Sequence, residues 1–184
     1  MALNPPFQRL LRQGGFLGRR PPTDNQETLP LPYSWILSNR LAIGPMPRQA
    51  FQWEQLEQAG FRSRFSCCYP EEEQFSPIPD HWQSRSLALP DHRNQEELKA
   101  EKLLEALDLA RGLLNSGSPV YLHCFAGRER SPLIGVGLTA LERQIDVFAA
   151  LDWVRRCHPA ATPIYEQLDL LDRLLREHPD MKKG

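Results

Sequence analysis

The stretch VYLHCFAGRERSP, residues 120–132, is the most informative part of the sequence. Its first residues are apolar or β-prone and run directly into Cys124, which predicts a buried strand. A short loop follows and ends in Arg130, Ser131 and Pro132, after which a long apolar run predicts a helix. Backbone N–H groups of such a loop converge at a helix N-terminus, where the helix dipole adds partial positive charge. The stretch therefore predicts an anion-binding loop.

Two side chains of this loop indicate phosphate chemistry. The positive field favours the thiolate form of Cys124, which is the nucleophilic form of cysteine. Arg130, six positions later, can fold back and bind two phosphate oxygens at once, which a lysine could not do. The stretch thus combines a nucleophile with a phosphate clamp. The alternative interpretation is a buried structural cysteine beside an unrelated arginine.

The segment HCFAGRERS, residues 123–131, resembles the signature loop of the cysteine-dependent protein tyrosine and dual-specificity phosphatases: His-Cys, five residues, Arg, then Ser or Thr. A rhodanese-type loop resembles a shorter ring with four intervening residues and fits this spacing less well. Residues 150–168 resemble the paired C-terminal helices of the phosphatases, and the resemblance covers residues 33–178. Two departures stand out, since a strand that the family usually keeps apolar carries Arg62 and Arg64, and Glu129 puts a carboxylate in the loop.

The resemblance implies a role for each loop residue. Cys124 is expected to attack phosphorus, and Arg130 is expected to hold the phosphate oxygens together with the loop amides. Ser131 is expected to hydrogen-bond the thiolate, a role compatible with that of a helix N-cap, and His123 is expected to orient the loop. The residues expected to bind phosphate are Phe125, Ala126, Gly127, Arg128, Glu129 and Arg130.

The reaction also needs an acid that protonates the leaving oxygen. Two candidates share the local sequence Pro-Asp-His, namely Asp80 and Asp91. Ligands of a parallel sheet gather at the carboxyl ends of its strands. Asp91 follows a predicted strand whereas Asp80 precedes it, and Asp91 also matches the acid-bearing loop of the family. We therefore expect Asp91 to be the acid.

A redox partner for Cys124 is a further expectation from the resemblance. Cys67 and Cys68 end a strand that should neighbour the strand of Cys124, and alternation lets only one of the two point at the loop. The position resembles that of a resolving cysteine in a phosphoinositide phosphatase of this superfamily, which matches Cys68 better. The alternative is that both cysteines are packing residues.

Strands and helices alternate along the chain, which predicts a single α/β domain with a central, mainly parallel sheet flanked by helices, like that of dual-specificity phosphatases. The strands are predicted over residues 35–37, 41–44, 61–68, 82–89 and 119–123. The helices are predicted to begin at Pro47, Asn94 (a capping-box N-cap with Glu97), Ser131, Asp146 and Thr162. Residues 1–32, which contain Pro, Gly and Arg, are predicted to be a poorly ordered extension, and residues 179–184 a tail.

Composition narrows the class of protein. A formal net charge of −1 and a pI near 6.5 give no reason to expect a nucleic-acid partner, and no apolar run is long enough for a membrane span. The acidic run of residues 71–73 is predicted to be a solvated loop. A chain of 184 residues can build its own core, so its four cysteines need not form a disulfide framework. A nucleophilic thiolate needs a reducing compartment, which favours the cytoplasm.

No cofactor and no metal are expected, because no second His or Cys lies at ligand spacing from His123. The predicted function is hydrolysis of a phosphomonoester, with a phosphorylated protein as the substrate, as in dual-specificity phosphatases. A lipid, glucan or RNA 5′-phosphate substrate stays open, since a cationic Arg128 suits a highly anionic substrate and Glu129 opposes it. A module that binds phosphate without turnover is the alternative from another class. Nothing in the sequence indicates an oligomeric state.

Overall fold

The computed structural model describes residues 29–73, 77–94 and 96–183. Within these ranges, five strands form one sheet: β1 (Ser34–Leu37), β2 (Leu41–Pro45), β3 (Ser63–Ser66), β4 (Gln83–Ser86) and β5 (Val120–Cys124). Their order is β1-β2-β5-β3-β4, and only the β1–β2 hairpin is antiparallel. This arrangement confirms the predicted α/β domain with a mainly parallel sheet and places β5 at its centre.

Five α-helices cover the two faces of the sheet: α1 (Ala50–Gln58), α2 (Ala100–Leu114), α3 (Arg130–Arg143), α4 (Val147–Cys157) and α5 (Tyr165–Glu177). Trp53 and Leu56 of α1 pack on one face together with Tyr121. The other four helices share the second, larger core with Leu122 and Cys124. Successive β5 side chains alternate between these faces, as a strand requires. Short 3₁₀ turns span Pro70–Glu72 and Pro179–Lys183.

The strand β3 is covered on both faces. All four of its residues are buried, including Arg64 with 4% of its surface exposed. Phe65 packs into the larger core on one face, and the Arg64 guanidinium lies 6.0 Å from the centre of the Trp53 ring of α1 on the other. Arg64 is therefore a buried cation rather than a solvated one.

Helix starts differ from the predicted ones. The predicted Asn94 N-cap is wrong, because α2 begins at Ala100 after Lys99. Asn94 instead accepts a hydrogen bond at Oδ1 from the backbone N–H of Asp91, at 2.8 Å, and so closes the loop before the helix. The helix predicted from Pro47 begins at Ala50. Helices α3, α4 and α5 begin within three residues of their predicted starts. Asp146 caps α4 as predicted, because its side chain accepts a hydrogen bond from Ala149 N at 2.9 Å.

Most of the predicted N-terminal extension, residues 1–28, lies outside the described residues. Leu31 is buried, and its backbone is held by Gln55 of α1 through hydrogen bonds of 2.7 and 3.0 Å. Across the part of the chain that the structure describes, no helix has the length and apolar character needed to cross a bilayer.

Candidate active site

The loop between β5 and α3 lies directly on the backbone of β2. Gly127 has a φ of +69°, and a Cβ built on it would come within 2.6 Å of the Gly44 carbonyl carbon and 2.7 Å of its oxygen. Only glycine adopts this conformation at no cost and leaves room for such an approach. The loop is thus shaped by its own glycine and by the neighbouring strand.

Cys124 ends β5 and lines the pocket formed by this loop, with 2% of its surface exposed. Its Sγ accepts a hydrogen bond from Ser131 Oγ at 3.3 Å. The N-cap position of α3 is occupied by Glu129, so the N-cap interpretation of Ser131 is wrong. The hydroxyl is instead directed at the thiol, where it can stabilise a thiolate.

Arg130, the first residue of α3, folds back into the protein. Its Nη1 and Nη2 donate to the two carboxylate oxygens of Glu72 at 2.6 and 2.9 Å, and Nη1 also donates to Cys67 O at 3.3 Å. Burial lowers the pKa of Arg130, but the Glu72 hydrogen bonds and the negative charges around the guanidinium together raise the pKa above its ordinary value. Nε of Arg130 is buried and has no partner among the described residues, so it can still donate to a bound anion.

Glu72 is the site residue that sequence reasoning missed. The run of residues 71–73 was predicted to be a solvated loop, yet Glu72 is 12% exposed and binds Arg93 at 2.6 Å in addition to Arg130. Burial raises the pKa of Glu72, and the arginine hydrogen bonds outweigh it, so the pKa lies below its ordinary value. The position of residues 71–73 could have indicated this role, because they follow a strand that ends at the same edge of the sheet as the strand of Cys124.

The structure brings Asp91, and not Asp80, to the pocket of Cys124. Asp91 Oδ2 lies 3.0 Å from Arg130 Nη2, and Arg93 donates to both oxygens of Asp91 at 2.5–3.1 Å. Asp80 is exposed and borders a separate cavity beside α1. Burial raises the pKa of Asp91, but the hydrogen bonds from Arg93 and the charge of Arg130 together lower it by more. The pKa of Asp91 therefore lies below its ordinary value.

His123 belongs to a buried polar network on the α1 face of the sheet. Arg64 Nη1 lies 3.0 Å from His123 Nε2 and 2.6 Å from Glu73 Oε1, and Arg64 Nε donates to Ser84 Oγ at 2.8 Å. A guanidinium only donates, so Nε2 accepts and the ring proton resides on Nδ1. Burial, with the charges of Arg64 and Arg130, holds the pKa of His123 well below its ordinary value. His123 is therefore neutral.

The two neighbouring cysteines occupy different faces. Cys67 N donates to His123 O at 2.9 Å, and Cys67 shares the larger core with Cys124. Cys68 Sγ lies 4.0 Å from His123 Nδ1. Burial raises the pKa of Cys68 to about 12 and that of Cys67 well above its ordinary value, the latter aided by the charge of Cys124. All four cysteines are free thiols.

Among the residues that the structure describes, two clusters have the composition of a metal site. One is Cys68, Glu73 and His123, and the other is Asp91, His92 and Glu129. Spacing in the sequence did not indicate the first, because its members come from different segments. In each cluster an arginine forms an ion pair with one of the carboxylates: Arg64 pairs with Glu73, and Arg93 pairs with Asp91. These positive charges oppose a bound cation.

The pocket over Cys124 has charged side chains of both signs. Its lining includes Arg93, Arg128 and Arg130 beside the carboxyl groups of Asp91 and Glu129. The Phe125 ring, which also lines the pocket, has the guanidinium carbons of Arg48 and Arg93 at 4.7 and 5.3 Å from its centre. The arrangement can receive an anion, hold it on loop amides and Arg130, and present it to a thiolate with a carboxyl group close by.

No protein-family model and no curated protein matches the sequence. Solved structures match the fold. Tk-PTP in its active form is 26% identical, with 78% of this chain and 96% of that chain covered and a TM-score of 0.66. PTPMT1 in complex with PI(5)P is 16% identical, with coverage of 80% and 97% and a TM-score of 0.69. Human DUSP28 is 19% identical, with coverage of 80% and 97% and a TM-score of 0.65.

The likeness to Tk-PTP, at 26% identity, agrees with the site geometry and supports a phosphatase, while the other two structures show the fold alone. The chain has the fold of the cysteine-dependent protein tyrosine and dual-specificity phosphatase superfamily.

Proposed function

We propose that the chain hydrolyses phosphomonoesters through a phosphocysteine intermediate on Cys124, and that its substrates are phosphorylated proteins, as for dual-specificity phosphatases. The observation that supports the proposal is the meeting of Cys124, Arg130 and Asp91 at one pocket. Cys124 Sγ accepts from the buried Ser131 hydroxyl, Arg130 Nε has no partner among the described residues, and Asp91 lies 3.0 Å from the Arg130 guanidinium.

In the first step, the Cys124 thiolate attacks phosphorus and the bond to the leaving oxygen breaks. Loop amides and Arg130 stabilise the charge on the phosphoryl oxygens. Asp91, in its protonated form, gives its proton to the leaving oxygen, so that the leaving group departs as a neutral alcohol or phenol.

In the second step, water attacks the phosphocysteine. The Asp91 carboxylate takes a proton from the water, which is the reverse of its first role. The sulfur–phosphorus bond breaks, and inorganic phosphate forms. Ser131 donates its hydroxyl hydrogen bond to the departing sulfur and so stabilises the thiolate.

A phosphoinositide is the second candidate substrate. Arg128 is exposed at the pocket, where a cation suits a headgroup with several phosphates. The fold likeness to PTPMT1 in complex with PI(5)P supports the same class. Glu129 at the pocket opposes it through its negative charge. A module that binds phosphate without turnover requires no acid, and the presence of Asp91 favours an enzyme.

A turnover panel separates these functions. Phosphotyrosine and phosphoserine peptides, phosphoinositides in vesicles and an aryl phosphate would be compared, with Cys124→Ser as the matched inactive variant. We expect peptide turnover that Cys124→Ser abolishes, while vanadate still binds the variant because the loop and Arg130 remain. Preference for vesicles would move the assignment to lipids. Phosphate binding without turnover of any substrate would identify a binding module.

We also propose a cytoplasmic location, because the reaction needs a reduced thiol and the cytosol keeps thiols reduced. Fractionation of cells that produce the chain would test it.

A further inference from the structure

The carboxylate of Glu129 contacts the loop that carries Asp91. Glu129 Oε1 lies 2.7 Å from His92 Nδ1, and Glu129 Oε2 accepts from the His92 backbone N–H at 3.2 Å. An ionised carboxylate only accepts hydrogen bonds, so His92 carries its ring proton on Nδ1 here. One carboxylate therefore holds both the backbone and the side chain of the residue next to Asp91.

The direction of this side chain is unusual for its position. Glu129 is the N-cap residue of α3, yet its side chain makes no hydrogen bond to the first turn of its own helix. A carboxylate beside an anion-binding loop also repels the anion. Both observations indicate that Glu129 serves the contact with His92 rather than the helix or the ligand.

The loop of residues 90–94 has two further anchors outside itself. Gln167 of α5 donates from Nε2 to Pro90 O at 3.1 Å, and Arg93 Nη2 donates to Glu72 Oε1 at 2.6 Å. The loop is thus held by α5, by the turn of Glu72 and by the phosphate loop. The result is that the Asp91 carboxylate is 5% exposed and lies against Arg130.

We propose that Glu129 is a positioning residue for the general acid: through His92 it fixes the Asp91 loop over the phosphate site. This inference rests on the proposed function. It predicts that, in the first step, Glu129 matters most for a poor leaving group, whose departure needs proton donation.

The test compares two substrates of the same enzyme. Para-nitrophenyl phosphate has a good leaving group and needs little protonation, whereas phenyl phosphate has a poor one. Glu129→Ala should lower kcat/KM for phenyl phosphate about 10- to 100-fold, as a small misplacement of a catalytic group does. For para-nitrophenyl phosphate we expect kcat/KM to change by less than about threefold, since kcat/KM reports only the steps up to the phosphocysteine and the acid contributes little there. Glu105→Ala, an exposed carboxylate on α2, is the matched control.

Two further variants separate positioning from a structural role. In an Asp91→Asn background, Glu129→Ala should add less than about twofold, because coupled residues are not additive. His92→Ala should reproduce part of the loss, and His92→Asn should restore it, because an asparagine amide can donate from the place of Nδ1. An equal fall in kcat/KM for the two substrates, or an undiminished effect beside Asp91→Asn, would overturn the inference. Absence of turnover by the wild-type chain would instead overturn the proposed function.

Discussion

Glu72 and Arg130 form a two-point ion pair, with Nη1 on Oε2 at 2.6 Å and Nη2 on Oε1 at 2.9 Å. The guanidinium is 2% exposed, so its orientation is fixed before an anion arrives. Because Glu72 occupies the two terminal nitrogens, a phosphate must share Nη2 or use Nε. A carboxylate from the loop after β3 therefore orients the arginine that is expected to bind phosphate.

Removing this partner should weaken the fold. Glu72→Ala is expected to lower the free energy of unfolding by about 1–3 kcal/mol, because it deprives a buried cation of its hydrogen-bonded partner. Urea unfolding in phosphate-free buffer measures this loss. Glu71→Ala, its exposed neighbour, should stay within about 0.5 kcal/mol of wild type. An equal effect of the two variants would show that the ion pair contributes nothing to stability.

The general acid is tested by comparing the two Pro-Asp-His segments. Asp91→Asn should slow kcat for phenyl phosphate by about 10²–10⁴-fold, which is the usual contribution of a general acid. Asp80→Asn should leave kcat unchanged, since Asp80 lies beside α1 and away from Cys124. Steady-state kinetics with purified variants decides between them. The reverse ranking would assign the acid to the other loop.

Arg93 should control the pH range of the reaction. Its hydrogen bonds lower the pKa of Asp91, so Arg93→Gln should raise that pKa. The acid then stays protonated to higher pH, and the basic limb of the kcat/KM profile should move to higher pH. Profiles of both proteins with phenyl phosphate measure the shift, and ionisation of the substrate cancels in the comparison. A limb that stays in place, or moves to lower pH, would contradict this role of Arg93.

Oxidation tests the two neighbouring cysteines. Cys68 was the expected redox partner of Cys124, but Cys67 shares the core that contains Cys124 while Cys68 lies against His123. We expect mild peroxide to produce a disulfide from Cys124 to Cys67, with activity restored by dithiothreitol. Peptide mapping without reduction identifies the bond, and Cys67→Ser and Cys68→Ser serve as matched variants. Irreversible loss of activity without a crosslink would leave both cysteines as packing residues.

Local patterns were sufficient for most of the architecture. The spacing from Cys124 to Arg130, the apolar run after Pro132 and the cap at Asp146 are all local signals, and each corresponds to an observed element. The location of Asp91 also followed from a simple rule about the ends of parallel strands.

The remainder depends on contacts between distant segments. The pair of Arg64 with His123 and the pair of Glu72 with Arg130 each join a residue near β3 to one near β5. Nothing in the local pattern distinguishes such charges from solvated ones, because the faces of β3 are buried by elements from other parts of the chain. The start of α2 was misjudged for a local reason instead, since the Asn94 side chain accepts from Asp91, three residues earlier.

The contact between Gly127 and the Gly44 backbone defines what could be moved to another protein. Gly44 itself has no room for a side chain, since a Cβ there would lie 2.3 Å from Tyr121 Oη, and that hydroxyl donates to Pro45 O at 2.6 Å. If the nine-residue signature alone were transplanted into another protein, it would lack the β2 backbone on which the loop packs. The smallest portable unit is the loop together with β2 and the tyrosine of β5.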